Sequence, residues 1–376
     1  MENKENLNPR PFWIIQTAFL GDIILSLPFL SELERVTREN QNPIIFITTA
    51  VGKEIVDLSL SRSLATARHR IHVRVWNKKT FEGSPLGMAK LARQLKEQWG
   101  IPSKVFCLQR SFRSGFLAWL SDANSRVGFS SGSSGNYFYT HNVVRSWDEG
   151  RHEIEKNLDL LRASFPEAKI PSWVHQDSSS LLTNQKRLSQ DLPYKKNDEL
   201  VVAMSLGSPW GTKRWPTENA TSLIKKMTQE GIAIKFLGDS STRDMGDQVK
   251  SQVSSLLFEN LTGKTSVSEW IEQISKCDFL IGGDSAAVHA ASDLGVPVLA
   301  LFGPTLPEFG FAPWRKGSRV LGVKDLSCRP CHIHGPKVCP KKHHKCMKDL
   351  SPDEVYSYFQ VMRLKSSRTG QSSRTK

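Results

Sequence analysis

Short apolar runs alternate with segments of helical period along most of this chain. Phe12–Gln16 is a run of the first kind, and Ile23–Arg38 reads as an amphipathic helix. Pro43–Thr49, Ile71–Trp76 and Lys104–Leu108 repeat the strand pattern, with a helix over Gly87–Trp99. A loop rich in Gly, Ser and aromatics, Phe129–Tyr139, precedes a helix over Glu153–Phe165. Pro166–Asn197 has weak periodicity and many Ser, Gln and Lys residues, as a linker does. The alternation then restarts, with strands at Leu200–Leu206 and Ile232–Leu237 and helices at Thr217–Glu230, Thr242–Leu257 and Ser266–Ser275. Phe279–Ile281 and Pro297–Phe302 are further strands around a helix Ala286–Leu294, and Ser351–Leu364 is a last helix. Such alternation predicts an α/β fold with parallel sheets. Its restart predicts two Rossmann-like domains facing across a cleft, 1–190 and 191–350. A terminal helix over 351–365, with the option of returning to the N-terminal domain, and a disordered basic tail over 366–376 complete the expected layout.

Several predicted strands end in turns of one kind. The most informative is Gly282-Gly283-Asp284-Ser285, which leads from a strand into the helix beginning at Ala286. A Gly-rich turn of this sort aims free N–H groups and the positive end of a helix dipole at one point, which suits a diphosphate. Neither GxGxxG nor GxxxxGK[ST] is present, and any βαβ unit has turns. Gly21-Asp22 follows the first strand, where a carboxylate can take a proton from an attacking hydroxyl or merely start a helix. Gly207-Ser208-Pro209-Trp210-Gly211-Thr212-Lys213-Arg214 opens the second half, with Lys213 a candidate for phosphate. Asp239 and the Thr262-Gly263 pair stand at two more strand ends, where they could meet a nucleotide or only shape a turn.

The chain has 376 residues, 39% of them hydrophobic and 23% charged, which fits a globular protein of two domains. No apolar run approaches the roughly 18 residues that span a bilayer, and Met1–Arg10 is too polar for a signal peptide. These features predict a cytoplasmic protein. The net charge of +14 asks for an anionic partner. No nucleic-acid-binding motif accompanies it, so nucleic acid is not expected. Basic residues gather at Arg62–Arg74 and at Arg110 with Arg113.

Six cysteines are present. Cys107 and Cys277 fall in strand-like contexts. Cys328-x2-Cys331 and Cys339-x6-Cys346 cluster with His332, His334, His343 and His344. A structural zinc site, reduced packing thiols and disulfides are the readings this spacing leaves open.

Gly21-Asp22-Ile23-Ile24-Leu25-Ser26-Leu27-Pro28 resembles the GD-x4-LP signature of glycosyltransferase family 9, the bacterial lipopolysaccharide heptosyltransferases. Gly283-Asp284-Ser285-Ala286-Ala287-Val288-His289, followed by Gly-Val-Pro-Val and Phe-Gly-Pro-Thr, resembles that family's D-[ST]-G-x-x-H region, with Ala286 where Gly is common. Lys213 with Trp215-Pro216 matches its lysine loop, and the cysteine segment looks like that of heptosyltransferase II-like members. The resemblance implies a GT-B fold and inverting transfer of a sugar, typically from ADP-heptose, to a phosphorylated lipopolysaccharide core acceptor. It implies Asp22 as general base and Lys213 as the partner of the departing diphosphate. Ser208, Thr212, Asp239, Thr262, Gly263, Asp284, Ser285, Ala286, Ala287 and His289 are the expected donor contacts, with His289 supporting the loop from behind. Arg62, Arg110 and Arg113 are the expected acceptor contacts. Cys328, Cys331, Cys339 and Cys346 are the candidate zinc ligands, with no cofactor needed for the chemistry. The implied place of action is the cytoplasm, at the inner face of the inner membrane. A GT-B enzyme using another nucleotide sugar and a non-catalytic anion- or zinc-binding scaffold are the alternatives.

Overall fold

The computed structural model describes residues 10–130, 132, 134–145, 150–171, 180–183 and 200–371. The chain forms two compact units, 1–147 with 153–171, and 148–152 with 172–376. The division falls at 171/172 rather than at 190/191. Part of the reason is that the Ser180 hydroxyl and the N–H groups of Leu181 and Leu182 donate to the buried Asp293 carboxylate of the second unit. The rest of the expected linker lies outside the described residues.

The first unit runs β1 (Phe12–Ile15), α1 (Leu20–Ile24), α2 (Leu27–Val36), β2 (Ile44–Thr48), α3 (Ala50–Leu60), β3 (Ile71–Val75), α4 (Pro85–Trp99), β4 (Lys104–Cys107), α5 (Phe112–Trp119), β5 (Ser125–Phe129), β6 (His141–Val143) and α6 (Glu153–Arg162). Its six strands pair in the order β3-β2-β1-β4-β5-β6, all parallel. The expected single helix Ile23–Arg38 is two. Pro28 has no N–H to give to the carbonyl of Ile24 and its ring would crowd it, so the chain restarts with Pro28 in the first turn of α2. The apolar strands are buried on both faces: Trp13, Ile14, Ile15, Phe46 and Phe106 are inaccessible to water, as a parallel sheet covered by helices requires.

The second unit runs β7 (Val201–Ser205), α7 (Thr217–Gln229), β8 (Ala233–Phe236), α8 (Arg243–Gln252), β9 (Phe258–Asn260), α9 (Val267–Ser275), β10 (Phe279–Gly283), α10 (Ala286–Asp293), β11 (Val298–Leu301), β12 (Arg319–Leu321), α11 (Lys345–Lys348) and α12 (Pro352–Gln371). Strand order is β12-β11-β10-β7-β8-β9, again all parallel. Counted from its first strand this is the order of the first unit, the doubly wound Rossmann order. Helix α12 packs on α7 of this unit instead of returning to the first. Val355, Tyr356, Phe359 and Met362 join the core cluster, Lys226 pairs with Asp353 at 2.7 Å, and the buried Trp215 donates Nε1 to Leu350 O at 3.1 Å. Burying a large apolar side chain is worth roughly 1.5–3 kcal/mol, so these contacts commit the helix. It is helical through Gln371, past the expected start of a disordered tail. Residues 372–376 lie outside the described residues.

Candidate active site

Strand order reverses once in each sheet, between β1 and β4 and between β7 and β10. Ligands of open α/β sheets bind outside the carboxyl ends of the strands at such points. In the first unit the Thr17 hydroxyl donates to Gln109 Oε1 and so bridges the turns after β1 and β4. Lys78, beyond β3, donates to the same oxygen at 3.1 Å. Asp22 stands in the first turn of α1, whose start at Phe19 is extended. Asp22 is half-buried, and burial raises its pKa to about 6. The Glu153 carboxylate adds to this, while Arg145 and the N–H groups of Phe19 and Asp22 oppose it. Glu153 and Arg145 are themselves a buried pair, 2.5 Å apart, and burial raises the Glu153 pKa too. Burial, then Arg145, lowers Arg110 to about 10. Burial, then Arg113, lowers Lys78 to about 8. The result is a carboxylate that is mostly ionised at neutral pH yet basic enough to accept a proton, on a sheet edge rich in cations.

Arg110 and Arg113 are at this edge, and Arg113 donates to Lys78 O at 3.4 Å. Arg62 is not. It follows α3, which runs back along the sheet, so Arg62 lies towards the amino ends of the strands. Of its neighbours, Arg70 is buried on Thr37 O at 3.0 Å and near Glu34, a structural role.

In the second unit Lys213, in the 3-10 turn Gly211–Lys213 after β7, reaches Asp284 after β10. The distance from Nζ to Oδ2 is 2.6 Å, and the Thr305 hydroxyl donates to the same oxygen at 2.8 Å. Asp284, Ser285 and Ala286 are half-buried, Ala287 is buried, and Ser285 Oγ has no partner among the described residues. Gly283 is the last residue of β10 rather than part of the turn; a Cβ there would come within 3.2 Å of Lys213 O.

Other expected donor contacts are placed differently. Ser208 is buried, its hydroxyl accepting from Trp210 N–H at 3.1 Å. Thr262 is fully buried and its hydroxyl donates to Asn260 Oδ1 at 2.7 Å, so only backbone is offered there and at Gly263. Asp239 is exposed and accepts from Ser241 N–H at 2.9 Å, the turn role that its sequence context left open. His289 is buried behind the loop, stacked on Trp314 at 6.1 Å, and burial lowers its pKa to about 4. It is therefore neutral at physiological pH.

The cysteine-rich segment wraps the Lys213 turn. Thr212 donates its hydroxyl to Pro336 O, and His344 Nε2 lies 2.9 Å from Thr212 O. Gly335, at φ +74°, passes so close that a Cβ would meet Lys213 Cε at 3.3 Å. Arg329 donates to Thr305 O at 3.0 Å, behind Asp284. His344 holds a left-handed φ of 54°, a region uncommon outside Gly in which Asn, Asp and His are enriched. His344→Asn keeps that backbone preference but is too short to reach Thr212. It is expected to cost about 1 kcal/mol, one net hydrogen bond. An unchanged urea midpoint would show that the bond contributes nothing.

All six cysteines are free thiols. Cys331 Sγ donates to Cys328 O at 3.1 Å, Cys328 Sγ lies 3.8 Å from His343 Nε2, and Cys346 is buried. Among the described residues no group of three or more His, Cys, Asp or Glu side chains is placed to hold a metal ion. Burial, then the neighbouring sulfurs of Cys331, Cys339 and Cys328, raises the Cys346 pKa to about 11, so the four candidate ligands lie near one another. No described helix is long and apolar enough to cross a membrane.

The family model for glycosyltransferase family 9 (heptosyltransferase) matches residues 88–342. The chain belongs to this family. It is 24% identical to a lipooligosaccharide heptosyltransferase 2 of Campylobacter jejuni, over 90% of this chain and 93% of that one. Two solved structures share the fold. The glycosyl transferase family 9 protein of Veillonella parvula superposes with a TM-score of 0.71 at 20% identity, covering 96% of this chain and 98% of the other. The ADP-heptose lps heptosyltransferase II of E. coli gives 0.67 at 19%, covering 94% and 99%. The chain is thus a family 9 glycosyltransferase of GT-B fold. Sequence reasoning missed Lys78, Gln109, Arg145 and Glu153 in the first unit and Thr305, Arg329 and His344 in the second. Thr305 and Lys78 follow strand ends and were within reach of the rule that found Asp22. Arg145 with Glu153, and His344 with Thr212, meet only through packing.

Proposed function

We propose that this family 9 glycosyltransferase moves a heptose from ADP-heptose to the inner core of lipopolysaccharide, with inversion. The observation that carries the proposal is the Lys213–Asp284–Thr305 cluster at the reversal point of the second sheet, beside the turn into α10. The names of the similar proteins supply the sugar and the acceptor. Asp22 takes the proton of the acceptor hydroxyl as its oxygen attacks the anomeric carbon. The bond from that carbon to the diphosphate breaks, and its electron pair leaves on the phosphate oxygen. Lys213 and the N–H groups at the start of α10 meet the growing negative charge. In this reading Asp284 holds Lys213 until a diphosphate competes for it. Arg110, Arg113 and Lys78 receive the phosphates of the acceptor. The proposed place of action is the cytoplasmic side of the inner membrane.

Calorimetric titration with ADP, UDP and GDP tests the donor. Selective ADP binding is expected. Selective UDP or GDP binding would replace ADP-heptose by another nucleotide sugar, the second reading that the Ala286 substitution favours.

A further inference from the structure

The turn that carries Asp22 is held from several sides and still shows a large ring to water. Gln16 and Thr17, which open it, are buried. The Gln16 side chain accepts from Ala18 N–H at 3.2 Å, and Thr17 is tied to Gln109. Phe19 follows with extended backbone at the start of α1. Its carbonyl accepts from Ile23 N–H at 3.2 Å, and its own N–H donates to the Asp22 carboxyl. Its ring is 63% exposed. A single exposed apolar side chain is ordinary. This one differs in its place. It springs from the residue whose N–H holds the carboxyl, beyond the carboxyl end of β1 and beside the reversal point of the sheet. Across that point the loop after β4 leads to Phe112, which is 53% exposed although it stacks on Phe116 at 6.1 Å and meets Phe138 edge-on at 5.2 Å. The second unit is built otherwise. In the corresponding turn after β7, Trp215 is buried and Trp210 half-buried. Among the described residues of that unit the one exposed Phe, Tyr or Trp is Tyr358, on α12.

The chemistry of an ordered, exposed ring beside a carboxyl points to its ligand. A sugar ring has a face made largely of C–H groups and a rim of hydroxyls. The π face of an aromatic ring is negative and attracts the polarised C–H groups, while the hydroxyls stay free for polar partners at the edge. Phe19 supplies the flat apolar surface, Asp22 the acceptor for a hydroxyl proton, and Arg110 and Lys78 at the same sheet edge the charge for an anionic substituent. We infer that the ring of Phe19 takes the C–H face of the acceptor sugar whose hydroxyl meets Asp22, and so selects a cyclic sugar and orients it. Stacking fixes the plane of the sugar. The bond from the N–H of the same residue to the carboxyl fixes the base against that plane, which is the alignment a proton transfer needs. The inference rests on Asp22 as the base and is independent of the nucleotide that the donor carries.

The test uses the full chain and a core oligosaccharide freed of its acyl chains, so that no lipid contributes. Phe19→Leu keeps the apolar character and removes the flat face. It is expected to weaken oligosaccharide binding, and to raise the acceptor KM, by about tenfold, as the loss of one aromatic contact does. Turnover at saturation should be unchanged, the signature of a contact made equally before and in the transition state, and ADP affinity should be unchanged too. Phe19→Tyr, which keeps the ring, should restore the wild-type KM. The C–H protons of the stacked sugar should shift upfield in NMR spectra with the wild type and not with Phe19→Leu. Trp119→Leu, at an exposed ring in the last turn of α5, should behave as the wild type. Asp22→Asn should bind the oligosaccharide and fail to turn over. Turnover by that variant would sink the base and leave the binding result of Phe19 standing. An acceptor KM unchanged in Phe19→Leu, a fall in kcat or ADP affinity in its place, or no oligosaccharide binding by the wild type would overturn the inference.

Discussion

Asp22→Asn is expected to lower turnover by about 10²–10⁴-fold, the range a general base supplies. The substitution keeps the shape of the side chain and removes only its capacity to take a proton. Affinity for ADP should be unchanged, because Asp22 belongs to the first unit and Lys213 to the second. The pH profile carries the same signature. A base must be unprotonated to act, so with a pKa of about 6 the wild-type kcat/KM should rise through pH 6 and level off above it. Two causes hold that value up, burial first and the Glu153 carboxylate second. Glu153→Gln removes the second and leaves the opposing Arg145 without its partner, so the acid limb should move to lower pH. That variant breaks a buried pair and will also be less stable, which is why the limb, and not the rate alone, is the readout. Wild-type turnover in Asp22→Asn, or an acid limb that ignores Glu153, would remove Asp22 from the chemistry.

Lys213→Met should weaken ADP binding by roughly tenfold or more and lower turnover further, since a charge-assisted bond is worth about 1.5–3 kcal/mol. The side chains of Lys213 and Asp284 are only 12% and 9% exposed. Removing one charge therefore strands the other, and stability should fall as well. Asp284→Asn added to Lys213→Met should recover stability without recovering activity. Denaturation and turnover measured on both variants separate the two roles. If the double variant regained turnover, Lys213 would be a structural cation and nothing more.

The fold was largely legible because parallel strands buried on both faces read as short apolar runs. Phe12–Ile15, Ile44–Thr48 and Val298–Leu301 are found within a residue or so of expectation. The three-residue edge strands β6, β9 and β12 were missed, since their few residues are partly exposed and carry no pattern. Helix α5 was missed because its eight residues are too few for a helical period to be read. Of the site, the residues at strand ends were legible, and Asp22, Lys213 and Asp284 all stand at the two reversal points. What packing creates was not. The raised carboxyl of Asp22 rests on burial first and then on Glu153, with Arg145 opposing, both of these more than a hundred residues away along the chain. The hydroxyl of Thr262 looked available and is spent on Asn260. Arg62 looked like a partner of Arg110 until the direction of α3 was known.

The most direct measurement is product analysis after incubation with ADP-heptose and a truncated lipopolysaccharide acceptor, following ADP release and the anomeric configuration of the new bond by NMR. Acceptor-dependent ADP release is expected, with the configuration opposite to that of the donor and with almost no product from Asp22→Asn. Consumption of a UDP- or GDP-sugar in place of ADP-heptose, or retention of configuration, would contradict the account.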